Sequence, residues 1–351
     1  MLRDELPALI AQGYTSFKVY MTYANLQLSD GQILDVLDLA RAHGGMVMVH
    51  AENADCIEWL TRRLEAAGRT APRFHALSRP LLVEREATHR AIALAELVDV
   101  PILLVHVSGH EAIAQIRAAQ AQGMNIFAET CPQYLLLTAA DLGIDDSYQG
   151  ARCVCSPPPR DASSQQAVWQ GLADGTLSVF SSDHAPFLLE GETGKTPGGR
   201  EVAFRHIPNG IPGIETRMPL LYSEGVLGGR LDLNRFVAVT ATNPAKAYGL
   251  YPKKGTIAIG SDADLVIWDE RDFVLDNAHL HHAVDYTPYA GRTMRAWPAM
   301  TLLRCEVVWD GEQFRGTPGA GRFLPRGLPT LTHGRPVRLN ASAVRDAITA
   351  S

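Results

Sequence analysis

Four residues, Lys18, His50, His106 and Asp183, stand toward the C-terminal ends of short apolar runs, TSFKVYMTY, MVMVHA, PILLVHVS and LSVFSSD. Two imidazoles, a carboxylate and an amine supply nitrogen and oxygen donors that suit zinc or a similar divalent ion. Singly, each has an ordinary explanation. A histidine at a strand end is commonly a hydrogen-bonded structural residue, and SSDHAP reads equally as a helix cap. The same combination on successive strand ends weakens that explanation, because this edge of an α/β sheet is where ligands bind. Lys18 is the sharpest case. Phe17, Val19, Tyr20 and Met21 around it predict a buried strand, where an ammonium carries a heavy desolvation cost. A partner carboxylate, or a stem that snorkels out, would relieve it. A neutral amine would instead be a nucleophile able to capture carbon dioxide as a carbamate, a carboxylate on a long arm that can bridge two metal ions.

The elements that carry these residues alternate. An opening amphipathic helix precedes the lysine strand, and Ser29 and Asp30 then cap a helix whose Ile33, Val36, Leu37 and Ala40 recur at helical spacing before Gly44-Gly45. Strands follow at Met46 to Ala51, Pro101 to Ser108, Met124 to Thr130 and Leu177 to Asp183. Between them lie helices at 54–67, 82–98, 109–122 and 168–173. Five strands separated by helices predict a parallel sheet with right-handed crossovers, either open and doubly wound or part of a barrel. Residues 187–212 form a Gly and Pro-rich loop long enough to be functional, followed by helices at 213–226 and 232–249. From 255 to 315 the period becomes that of strands, which predicts a small all-β module. The tail from Pro318 reads as an arm that stays mobile or wraps a neighbouring subunit.

Composition excludes several classes. The 351 residues carry a net charge of −6, with 46% hydrophobic and 20% charged residues, ordinary values for a globular protein. No basic patch suggests nucleic acid. No window of eighteen apolar residues suggests a membrane span, and the charged start MLRDELPALIAQG does not resemble a signal peptide, so a cytoplasmic location is expected. Cys56, Cys131, Cys153, Cys155 and Cys305 are odd in number and lack CxxC spacing, which favours neither disulfides nor a zinc ribbon.

The spacing of Lys18, His50, His106 and Asp183, with the words FKVYMTY, VMVHAEN, LLVHVSGHEA, AETCPQYL, SPPPR, SSDHAPF, IPNGIPGIETR and KKGTIAIGSDADLVIWD, resembles the hydantoinase/dihydropyrimidinase branch of the amidohydrolases. The likeness runs from about Tyr14 to about Gly319. It implies a (β/α)8 TIM-type barrel holding two divalent metal ions, zinc above all, with manganese and cobalt as alternatives. Lys18, carbamylated, would bridge them; His50 and His106 would hold one, and Asp183 would bind the other while acting as base and acid. Tyr23 matches the residue that hydrogen-bonds the developing oxyanion. Ser156 and Asn209 match positions that contact the cyclic amide, largely through backbone. The implied reaction opens hydantoins or dihydropyrimidines to N-carbamoyl amino acids, in a homotetramer.

One part of the family pattern is missing. The His-x-His pair expected upstream of the lysine is not present, since seventeen residues precede Lys18 and the first histidine is His43. His279-Leu280-His281 has the right local form but lies downstream, and reads as structural. Five strands stand where a closed barrel needs eight, at roughly 30 residues per unit. The expectation is therefore an incomplete barrel, its last five βα units in 1–250, then the C-terminal half of a small β-sandwich domain in 251–317 and an arm in 318–351. Such a chain alone is expected to bind metal poorly and turn over little. Competing readings are an allantoinase or dihydroorotase, the latter calling for an arginine against a substrate carboxylate, and a non-catalytic scaffold of the same fold. His75, His89, His110 and His184 read as structural, Glu52 and Glu129 as groups that orient a ligand, and Cys131 as a buried thiol.

Overall fold

The computed structural model describes residues 2–332. Five parallel strands form one sheet in chain order: β1 (Ser16–Tyr20), β2 (Met46–His50), β3 (Ile102–Leu104), β4 (Ile126–Thr130) and β5 (Val179–Phe180). Helices cross between them. After α1 (Leu2–Ala11) come α2 (Asp30–His43), α3 (Ala54–Ala66), α4 (Phe74–Ser78), α5 (Leu81–Val98), α6 (His110–Ala121), α7 (Pro132–Leu136) and α8 (Ala162–Asp174).

Local chemistry sets the helix ends. At α2, Ser29 accepts from the Gln32 amide and Gln32 returns the bond, a capping box, while Gly44 stops the helix at φ 80°. The expected apolar stripe Ile33, Val36, Leu37 and Ala40 is buried. α8 begins six residues earlier than its apolar pattern suggests, because the Asp161 carboxylate caps the Ser164 amide. The helices expected at 213–226 and 232–249 are instead successions of one-turn α and π segments.

Strand alternation divides the core. Val47, Val49, Ile102, Leu104, Ile126 and Ala128 pack with the helices, including Val36, Ile92 and Ile116. Met46, Leu103, Val105 and Phe127 line the other face with Met48, Tyr248 and Leu331. The expected β module is present: Leu265–Asp269, Trp297–Leu303 and Glu306–Trp309 form an antiparallel sheet, and Phe273–Val274 pairs with Thr293–Met294. Trp268 stacks on Tyr222 at 4.8 Å, tying it to the α/β part.

The tail departs from its expectation as far as residue 332. The Arg326 amide donates to the Gly13 carbonyl, its guanidinium reaches Ser16 Oγ at 2.7 Å, and the Gly327 amide donates to Gly249. Phe323 lies 5.0 Å from the Tyr14 ring. These polar and apolar contacts lay the segment along its own sheet; residues 333–351 fall outside the described residues. A side chain at Gly249, which sits at φ 66°, would meet the Gly327 carbonyl oxygen at 2.0 Å. Gly249→Ala is expected to cost about 1–3 kcal/mol, and an unchanged thermal midpoint would contradict this docking.

Candidate active site

The sequence expectation for Lys18 fails in one respect: its side chain is exposed. The residue lies on β1, the outer strand of the sheet among the described residues, in register with Met48 and thus on the face opposite the helices. Among the described residues nothing pairs with the outer edge of β1, and the alternation that buries Val19 leaves Lys18 open. Its Nζ stands 5.1 Å from the Tyr20 ring centroid.

The two histidines meet as expected. His50 ends β2 and His106 follows β3 by two residues; both are 2% exposed, with ring centroids 4.4 Å apart. Burial lowers both imidazoles. His106 is held well below its ordinary value by burial and then by His50 and Lys18, while Glu52 pulls His50 partly back. The lowering favours the neutral ring in both, the form that ligates a metal. His50 Nε2 lies 2.8 Å from Glu52 Oε2, which also accepts from Arg79 Nη1 at 2.6 Å. Donation to Glu52 through Nε2 frees the Nδ1 lone pair. His106 Nδ1 is buried with no hydrogen-bond partner among the described residues.

Asp183 follows β5 by three residues. Burial raises its carboxyl, and Lys18 and then His50 pull it back, so the three share one electrostatic neighbourhood. Burial likewise lifts Glu129 to about 7, against Ser181 and Lys18 and with Asp183. Backbone strain marks the same edge: Tyr23, His106 and Asp183 adopt φ of 69°, 43° and 46°, a left-handed conformation that costs a side-chain-bearing residue roughly 1–2 kcal/mol. Three of the six such residues among those described belong to the expected site, so the strain concentrates where geometry is most constrained.

Among the described residues, no group of three or more His, Cys, Asp or Glu side chains is gathered tightly enough to hold a metal ion. The imidazole pair is by itself too few donors for a ligand set. The donors fit such an ion in kind: two imidazoles, one with an unpartnered buried nitrogen, and a carboxylate beside them.

Tyr23 connects this edge to a cavity of about 470 Å³ lined also by His75, Arg79, Phe204, Arg205 and Asn209. The Tyr23 ring is 5.1 Å from that of His50. Burial raises its phenol, and Arg79 pulls it partly back. Ser156 Oγ donates to Asn209 Oδ1 at 2.8 Å, so Tyr23, Ser156 and Asn209 come together; Lys18, His50, His106 and Asp183 do not line the cavity itself.

Two residues of this region escaped sequence reasoning. His75, read only as structural, is buried, approaches the Cys155 carbonyl at 2.9 Å, and is brought down to about 3 by burial and Arg79. Arg79 lines the cavity and fixes Glu52. A single arginine ahead of a proline has no periodicity to reveal it. Four other histidines read as structural have protein partners: His184 Nδ1 accepts from Gly213 and Ile214 amides, His110 lies 3.0 Å from Ser164 Oγ, His89 3.1 Å from Gln115, and His281 2.8 Å from Glu215.

Comparison with known proteins places this geometry. Residues 4–308 match the model of the amidohydrolase family. A D-hydantoinase of Rhizobium radiobacter is 45% identical over 325 residues, 92% of this chain and 70% of the relative. A solved D-hydantoinase structure superposes with a TM-score of 0.89 at 42% identity, over 94% of this chain and 71% of the other. The dihydropyrimidinase of Brevibacillus agri gives 0.89 at 41%, over 93% and 70%. The parallel βα units are thus those of a TIM-barrel-type fold, and the chain belongs to the hydantoinase branch of the amidohydrolase family.

Proposed function

We propose that this cyclic amidohydrolase opens the ring of hydantoins or dihydropyrimidines to N-carbamoyl amino acids. The observation that carries the reading is the buried His50–His106 pair at 4.4 Å with Lys18 and Asp183 in its field, beside a cavity lined by Tyr23 and Asn209. The names of the relatives, D-hydantoinase and dihydropyrimidinase, give the substrate class.

Two divalent ions, zinc in the simplest case, would be held by His50, His106, Asp183 and Lys18. Lys18 would do so as its carbamate: the ammonium gives up one proton, and the resulting amine nitrogen bonds the carbon of carbon dioxide and releases a second; its exposure lets carbon dioxide reach the nitrogen. The ions supply polarisation of the ring carbonyl and a lowered pKa for water. The protein groups do the rest. Asp183 takes a proton from water as its oxygen bonds the carbonyl carbon, then gives that proton to the ring nitrogen as the C–N bond breaks. Tyr23, kept protonated by burial, donates to the developing oxyanion. Ser156 and Asn209 hold the ring amide, chiefly by backbone groups.

The domain reading is kept as part of this proposal: barrel units in 1–250, part of a small β-sandwich in 251–317, an arm in 318–351, and a cytoplasmic homotetramer. Against the dihydroorotase alternative, both cavity arginines are engaged, Arg79 by Glu52 and Arg205 by Glu58 and Glu65, so neither is spare for a substrate carboxylate. Ring opening of hydantoin and dihydrouracil, measured as N-carbamoyl product alongside metal content per chain, tests the reading. Metal-loaded protein that opens neither ring would favour the scaffold alternative.

A further inference from the structure

We propose that Lys195 is a positioning residue for the substrate: its side chain staples together the two segments that carry Ser156 and Asn209. This rests on the reading that those segments contact the ring. Lys195 Nζ donates to the Val154 carbonyl at 2.8 Å and to the Pro208 carbonyl at 2.8 Å. Val154 lies two residues before Ser156, and Pro208 immediately precedes Asn209. The Gly210 amide donates to the same Val154 carbonyl, and Ser156 Oγ donates to Asn209. The amine therefore closes a small ring of bonds whose other members include both proposed substrate contacts.

A merely space-filling role does not account for it. Lys195 is fully buried, the only lysine among the described residues that is, and it forms no ion pair among them. Burial lowers its amine from 10.5 to about 8, with only the Cys155 and Cys153 thiols resisting. An apolar side chain would fill the space without desolvating a charge; what it could not do is hold two carbonyls. The loop that delivers Lys195 is itself anchored: its backbone amide donates to the Leu188 carbonyl, and the Leu189 and Glu190 amides donate to the Asp285 carboxylate at 2.7 and 3.0 Å. The Gly and Pro-rich stretch after Asp183 thereby acquires a use, linking the base, the staple and Asn209 in one continuous segment.

The test compares wild type with Lys195→Met and Lys195→Gln, by hydrogen exchange and steady-state hydantoin hydrolysis. Loss of the staple is expected to speed exchange in peptides covering 153–157 and 207–212, with the parallel sheet unchanged. KM is expected to rise at least about tenfold in the methionine variant, the scale of losing charge-assisted hydrogen bonds, with kcat moving much less. Glutamine, whose amide can still reach one carbonyl, should give an intermediate KM, and it carries the test if the methionine variant does not fold. Unchanged exchange in both segments overturns the staple, and wild-type KM in an active variant overturns its role in substrate positioning. Wild-type protein that opens no hydantoin would overturn the functional reading instead, and exchange alone then decides the staple.

Discussion

Asp183→Asn is expected to lower kcat by about 10²–10⁴-fold, the usual contribution of a positioned general base, while leaving the fold intact. Asparagine is the informative substitution here because Asp183 sits at φ 46°. Asn tolerates this left-handed conformation better than other side chains, and its amide oxygen remains as a weaker donor to a metal. Alanine would confound the result by adding backbone strain. The amide cannot accept and return a proton as the carboxylate does, so the loss should fall on kcat, and metal content per chain should be measured in parallel. A variant that keeps wild-type metal and more than about a tenth of wild-type kcat would remove Asp183 from the base role.

Arg79→Met is expected to destabilise the protein by about 3–5 kcal/mol, since it leaves a buried carboxylate without its cation. Glu52 is 0% exposed, and its Oε1 has no partner among the described residues. Its buried charge rests on Oε2, which meets Arg79 at 2.6 Å and His50 at 2.8 Å. Burial pushes that carboxyl up, yet Arg79 and then His50 outweigh it and hold it at about 2. Methionine keeps much of the volume and removes the charge. The double variant Arg79→Met/Glu52→Gln should recover part of the loss, because removing both charges removes the orphan. Urea unfolding checks both. A single variant within about 1 kcal/mol of wild type, or a double variant whose loss equals the sum of the singles, would show that Arg79 does not support Glu52.

Much of the site was legible because it lies on short strands whose ends are visible in the sequence. An apolar run closed by a single polar residue, as in MVMVH, fixes both the element and the edge at which its histidine emerges. Parallel pairing in chain order then brings His50 beside His106 without further information. The ends of α2 were equally local, Ser29 starting it and Gly44 stopping it, whereas the Asp161 cap that starts α8 went unread because it lies ahead of the helix's apolar pattern. The β module was announced by its change of period.

What sequence alone determined was the order of the elements and the residues at their ends, because capping and alternation act between near neighbours. Burial was decided only in three dimensions. Lys18 looked buried by its flanking residues and is exposed, because exposure depends on what the fold lays against that face of β1. Arg79 met Glu52, and Lys195 met Val154 and Pro208, across 27, 41 and 13 residues of chain. No local pattern encodes those pairings; they exist because a buried charge has to find its partner wherever the fold brings one within reach.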